Sequence, residues 1–176
     1  GQIQGRIYLP AFGRPQQLLQ IVHGMAEHMA RYDSFCSMLA KKGLAVCIQD
    51  LAGHGLSAAA PEKLGYFGTE NGYIKVLDDV QEMAGQAIAI IGEKEMPRFI
   101  LGHSMGSFIA RLYCARYGEQ LTGAIFSGTR GADSMVNVGI MLARRSVRKN
   151  GALFKDEFLA GLTGKGFLKR IKNART

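Results

Sequence analysis

The sequence predicts an α/β domain built on a largely parallel sheet, and three observations carry that prediction. Short apolar runs, each too brief for a helix, recur along the first two thirds of the chain. Stretches with apolar residues at helical spacing separate them. Glycines follow those stretches where a helix would stop. Short buried strands alternating with amphipathic helices produce a sheet covered by helices.

The elements follow in order. Ile3–Leu9 places Ile3, Ile7 and Leu9 on one face of a strand. Leu18–Val22, Leu44–Ile48 and Phe99–Leu101 are compact apolar runs, and Leu121–Phe126 is a fifth strand candidate. Tyr32, Phe35, Leu39 and Ala40 recur at helical spacing ahead of Gly43. Phe108, Ile109, Leu112 and Tyr113 do so ahead of Gly118, and both glycines suit the left-handed position that ends a helix. The strongest stripe is Tyr73, Val76, Leu77, Val80, Met83, Ala84, Ala87, Ile88 and Ile91, about five turns long. After Gly128 the pattern changes. Met135–Leu142 is apolar nearly all round, Arg144, Arg145 and Arg148 follow, and Phe154, Phe158, Leu159 and Leu162 predict another amphipathic helix ahead of Gly164.

A chain of 176 residues, 47% hydrophobic and 20% charged, can bury one sizeable core, which excludes disorder. No apolar stretch approaches the roughly 18 residues of a membrane span, since Ala84–Ile91 is broken by Gln86 and ended by Gly92. No secretory signal pattern follows Gly1. Cys36, Cys47 and Cys114 form an odd set without metal or redox spacing, so free thiols in a reducing, cytoplasmic compartment are expected.

The net charge of +8 is unevenly placed. Residues 1–143 hold 12 basic and 12 acidic side chains, whereas residues 144–176 hold 10 basic ones against Asp156 and Glu157. Nucleic acid, an anionic membrane surface, or the edge of a domain whose acidic complement lies elsewhere would each account for such a segment. No nucleic acid is expected, because the segment carries no recognition motif and Phe154, Phe158 and Phe167 fit a helical apolar face. Lys and Arg mixed with Phe and Leu would suit peripheral contact with an anionic lipid surface.

Chemistry concentrates in three short segments. Gly102-His103-Ser104-Met105-Gly106 fits G-x-S-x-G, with the strand Phe99-Ile100-Leu101 before it and an amphipathic helix after it. A serine on such a sharp turn exposes its Oγ, and glycines on either side remove side chains that would strike the neighbouring backbone. The Met105 N–H then starts a helix, where donors are unpaired and the dipole favours developing negative charge. Ile21-Val22-His23-Gly24-Met25 brings a second strand into a His-Gly turn, with the Met25 N–H as the matching donor. Gln49-Asp50-Leu51-Ala52-Gly53-His54-Gly55-Leu56-Ser57 is a strand end running into a glycine-rich turn.

With these segments in this order the chain resembles the serine α/β-hydrolases of the monoacylglycerol lipase and lysophospholipase type. The resemblance is carried by His23-Gly24-Met25-Ala26-Glu27-His28, by Asp50 with Gly53-His54-Gly55 and Ser57, and by Gly102-His103-Ser104-Met105-Gly106-Ser107. It is close over roughly residues 3–130 and loose over 131–176. It implies an α/β-hydrolase fold, with residues 1–131 as the N-terminal part of the core and 132–176 as the start of a helical cap. It also implies Ser104 as nucleophile and Met25 and Met105 as oxyanion-hole donors. His23, Gly24, Glu27, His28, His54, Gly102, His103 and Gly106 would then surround the pocket. The implied reaction is hydrolysis of a carboxylic ester, with a small-molecule or single-chain lipid ester as substrate.

One departure stands out. The family's triad runs Ser, Asp, His, and no histidine follows His103. Asp133 therefore has nothing to orient and reads as a surface loop residue. The expectation is an incomplete hydrolase that stops within the cap, inactive by itself, with the acid and base still to come. A non-catalytic binding module on the same fold is the alternative. A sheet left with an open edge would self-associate.

Other motifs fail on spacing. Gly161-Leu162-Thr163-Gly164-Lys165-Gly166 lacks the glycine separation and the Ser or Thr of a phosphate loop, and Gly53-His54-Gly55 does not continue to a dinucleotide fingerprint. His23 and His28 do not match H-E-x-x-H. No cofactor and no metal are expected.

Overall fold

A computed structural model of the chain describes residues 2–68, 71–131 and 135–161. The strands are β1 (Gly5–Tyr8), β2 (Leu18–Val22), β3 (Ala45–Gln49), β4 (Arg98–His103) and β5 (Gly123–Ser127). The helices are α1 (Asp33–Lys41), α2 (Gly72–Ile91), α3 (Met105–Tyr117) and α4 (Met135–Asn150). The five strands form one sheet in the order β1-β3-β2-β4-β5. β1 runs antiparallel to β3, and every other pair is parallel.

Every residue of β2 and β3 is buried, which is why both read as continuous apolar runs instead of alternating ones. On one face of the sheet Leu19, Ile21, Val46 and Ile48 pack with Met29 and with Cys36 of α1. On the other, Val22 and Ile100 meet Val76, Leu77 and Val80 of α2 and Ile109, Ala110 and Tyr113 of α3. Leu18, Ala45 and Cys47 extend that layer against Met83 and Ala87 of α2. Each such aliphatic side chain contributes about 1.5–3 kcal/mol relative to leaving it in water. Gln20, facing the same layer, is satisfied by donating from Nε2 to the Val80 carbonyl at 2.6 Å.

The helix ends repeat the sequence reading with one correction. Gly92 (φ +75°) closes α2, its N–H reaching the Ile88 carbonyl at 2.9 Å, and Gly43 (φ +91°) follows α1. Gly118 instead keeps a helical φ of −60°, and the chain tightens into a 3-10 turn over Gly118–Gln120. Glycine permits the left-handed conformation without requiring it. Two apolar positions also differ: Tyr73, at the head of the α2 stripe, is 56% exposed, and Leu9 lies outside β1 at 44%.

Two compact units emerge, residues 1–129 and 130–176. Within the second, α4 carries Val136, Ile140, Ala143 and Val147 at helical spacing, and Arg144, Arg145, Arg148 and Lys149 fill its last turns. The Ser146 hydroxyl donates to Asp156 Oδ2 at 2.5 Å. Asp156 Oδ1 accepts the Leu159 N–H at 3.1 Å and so caps a short helical stretch over residues 157–161. The Ser146 bond comes first among the causes that hold the Asp156 carboxyl below its usual range. Leu162, Gly164 and Asp133 lie outside the described residues.

Candidate active site

β2 lies between β3 and β4, so the connection out of it goes one way and the next crossover goes the other. The carboxyl ends of strands at such a reversal are where open parallel sheets hold their ligands. Val22 is in register with Gly102 at that edge, which places the two loops singled out in the sequence side by side.

Ser104 is the single residue between β4 and α3, with φ +52° and ψ −119°. A side chain in that conformation costs on the order of 1–3 kcal/mol and persists only where its surroundings fix it. Here they do. The Ser104 N–H donates to the Ser127 carbonyl at 2.8 Å, and its own carbonyl accepts the Ser107 N–H at 2.9 Å and the Ser107 hydroxyl at 2.6 Å. A Cβ on Gly106 would sit 2.5 Å from the His23 carbonyl oxygen, and one on Gly102 would sit 2.6 Å from the Gly106 carbonyl carbon. Both positions exclude any side chain. The Ser104 side chain is exposed, and the Met105 N–H lies in the first turn of α3, where no intrahelical acceptor exists.

The turn after β2 touches this elbow. A Cβ on Gly24 would lie 3.2 Å from Ser104 Cβ and 2.7 Å from Glu27 Oε1, so the Gly24 backbone lies close to both side chains. Ala26 takes a left-handed φ of +58°. Glu27 is buried and accepts the Gly24 N–H and, at 2.8 Å, the Tyr32 hydroxyl on Oε1, while Oε2 lies 3.5 Å from Arg31 Nε. Burial, then the Glu27 bond, push the Tyr32 phenol well above its ordinary value, so it stays protonated and donates. The Met25 side chain is exposed, and its N–H donates to no other group among the described residues.

Three of the four histidines are engaged elsewhere. His23 is fully buried, with Nε2 accepting the Leu51 N–H at 3.0 Å. Nδ1 must then carry the proton, which it donates to the Gly24 carbonyl at 2.8 Å. Burial lowers the pKa of His23 and keeps the ring neutral. His54 lies with its ring 5.3 Å from that of His23 and 5.7 Å from that of Phe67, and its Nδ1 meets the Ala52 carbonyl at 3.0 Å. His54 Nε2 is buried without a partner among the described residues. His103 Nδ1 is 3.4 Å from the Ser127 hydroxyl, and His28 is exposed. Among the described residues, no side chain hydrogen-bonds the Ser104 hydroxyl.

Asp50 has a role that motif spacing did not reveal. Its Oδ1 accepts the Met29 N–H and its Oδ2 the Leu56 N–H, each at 2.7 Å, so one buried carboxylate ties together the loops after β2 and β3. The signal available was an aspartate at a strand end ahead of glycines, a residue type that bonds nearby backbone. Ser57 Oγ accepts the Gln4 N–H at 2.9 Å and joins the same arrangement. Among the described residues, no group of three or more His, Cys, Asp or Glu side chains could hold a metal ion.

The family model described as serine aminopeptidase, S33, matches residues 13–155. The chain belongs to this family of serine α/β-hydrolases. It is 32% identical over 114 residues to the monoacylglycerol lipase of Mycolicibacterium smegmatis, covering 65% of this chain and 38% of that protein. It is 31% identical over 118 residues to the monoglyceride lipase of Homo sapiens, covering 67% and 36% respectively. Among solved structures it is similar to a thermostable carboxyl esterase from Bacillus coagulans in complex with glycerol, at a TM-score of 0.79 and 28% identity. That match covers 90% of this chain and 50% of the esterase. The chain thus spans between about a third and a half of the length of these relatives. The architecture is that of the α/β-hydrolase fold, and the free thiols Cys36 and Cys47 are buried within it. No helix among the described residues is long and apolar enough to cross a membrane.

Proposed function

We propose that the intact protein is a serine ester hydrolase acting on monoacylglycerols, lysophospholipids or similar single-chain esters, with Ser104 as nucleophile. The observation that carries this reading is the strained Ser104 turn with the Gly24 loop packed against it. In this reading Ser104 Oγ attacks the acyl carbon and passes its proton to a base. The Met25 and Met105 N–H groups hold the tetrahedral oxygen, the alcohol leaves with a proton, and water releases the acid from the acyl-serine. The names of the lipase relatives support an acyl-lipid substrate. His23 holds Leu51 and Gly24, and His28, His54 and His103 make no bond to Ser104, so none of the four is the base in this scheme.

Residues 132–176 would form part of a helical cap, and its basic residues would meet anionic lipid. Flotation with anionic but not neutral vesicles is the expected result, and equal flotation with both would remove that contact. Fluorophosphonate labelling read by intact mass tests the central reading. The intact protein is expected to label once, dependent on Ser104 and lost in Ser104→Ala, and to hydrolyse long-chain faster than acetyl esters. Equal rates on both would overturn the single-chain lipid assignment. The 176-residue chain alone is expected not to label. Labelling of that chain would mean that one of the four histidines, or a second copy, supplies the base. A different reading, a binding module without catalysis, draws on the Ser104 hydroxyl having no side-chain partner among the described residues, and absence of labelling in the intact protein would favour it.

A further inference from the structure

We infer that Glu27 is a positioning residue for the oxyanion-hole loop: it takes up the Gly24 N–H and leaves the next one, Met25 N–H, as the donor for the reacting oxygen. The inference rests on Ser104 being the nucleophile. Two consecutive backbone donors follow β2, at Gly24 and Met25, and the Gly24 N–H is bound to Glu27 Oε1. The carboxylate reaches back three residues and closes the turn on itself, as a capping side chain closes the start of a helix.

Three features give this bond control over the loop. Glu27 is only 9% exposed, so its carboxylate must keep its partners or be left uncompensated. Its second anchor, the Tyr32 hydroxyl at 2.8 Å, fixes where the carboxylate lies by tying it to the chain that enters α1. Gly24 is bonded to Glu27 Oε1 and lies close to Ser104 Cβ, so a shift of the carboxylate moves backbone beside the nucleophile. The left-handed Ala26, unfavourable for a residue with a Cβ, is the remaining part of the same turn. Glu27 is not itself a base for Ser104: among the described residues no hydrogen bond joins the two, and Oε1 already accepts two donors.

The experiment uses the intact protein with Glu27→Ala and Glu27→Gln beside Ser104→Ala. It reads ester-hydrolysis kinetics together with amide hydrogen exchange of the segment spanning residues 22–28. Loss of one oxyanion donor lowers kcat by about 10²–10³-fold, so Glu27→Ala is expected to lower kcat at least about 100-fold with KM changed less than about threefold. Exchange at the Gly24 amide should quicken by about tenfold or more as the turn opens. Glu27→Gln keeps an amide oxygen for the Gly24 N–H and is expected to restore kcat to within about tenfold of the parent and exchange to near its level. Unchanged exchange in Glu27→Ala, a kcat kept within twofold (about 0.4 kcal/mol), or a loss confined to KM would each overturn the inference. So would a Glu27→Gln protein as slow as Glu27→Ala, since that would make charge, and not the acceptor, the operative property. If hydrolysis survives Ser104→Ala, the nucleophile assignment fails, while the exchange comparison still decides whether Glu27 holds the loop.

Discussion

A methyl group on Gly106 has nowhere to go, whereas one on Gly92 meets open space. The first would press into the His23 carbonyl at 2.5 Å, and the second has nothing within 4 Å but would occupy a left-handed φ of +75°. The two glycines therefore separate packing from backbone strain. Gly92→Ala is expected to cost about 1–2 kcal/mol, the ordinary penalty for a Cβ in that conformation. Gly106→Ala should cost about 3 kcal/mol or more, because backbone on both sides must move. Urea unfolding of both variants checks the order, and equal losses would mean the elbow yields more readily than its contacts imply. His23 supports a prediction in pH. Its pKa is lowered by burial in the folded chain, so below pH 6.5 the unfolded state binds the proton more readily than the folded one. Stability should be full above the unfolded value and decline as pH falls from 6.5 toward the lowered folded pKa. His23→Asn should be less stable at neutral pH yet flatter across that window, and a wild-type stability level from pH 7 to pH 5 would contradict the assignment.

At the scale of elements, β4 and β5 lie side by side but stand in different surroundings. Ile100 of β4 is fully buried beneath α2 and α3, while Ile125 of β5 is 50% exposed. Ile100→Ala should cost about 2–5 kcal/mol through lost burial and a residual cavity. Ile125→Ala should stay within about 1 kcal/mol. Comparable losses in urea unfolding would show that β5 is covered. These strands also show what was legible in the sequence. All five strands overlap the segments predicted for them, and β2 and β3 were the plainest, because a strand buried on both faces has no polar face to disguise it. The exposure of β5 was hidden, since Ala124, Ile125 and Phe126 read as apolar whether or not anything covers them. The elbow glycines were legible because the chemistry forbids a Cβ at fixed positions. The bonds that hold Ser104 in place were not, because Ser127 contributes a backbone carbonyl and any residue carries one. Gly118 was misread for a related reason: glycine leaves the backbone free, and local contacts chose the helical conformation.

Across the whole molecule, the two edges of the sheet are guarded unequally. At one edge, β1 carries Arg6, whose Nη1 bonds both Asp33 oxygens at 2.7 and 2.5 Å, and Tyr8, whose hydroxyl meets the same carboxylate at 2.5 Å. Charged and bonded side chains of this kind discourage pairing with another chain. At the other edge, Gly123-Ala124-Ile125-Phe126-Ser127 has neither charge nor proline, and β5 has no second strand neighbour among the described residues. Self-association of this 176-residue chain is therefore expected through β5 and not through β1. Sedimentation at micromolar concentration should show dimers or larger species, and Ile125→Lys should return the chain to monomer by placing a charge on the open edge. The basic residues of 144–176 offer a competing route, which salt separates. Association through strand pairing and apolar contact survives high salt, whereas association through surface charge is screened away. A wild-type chain that sediments as a monomer, or an assembly that dissolves in salt and ignores Ile125→Lys, would remove β5 as the cause.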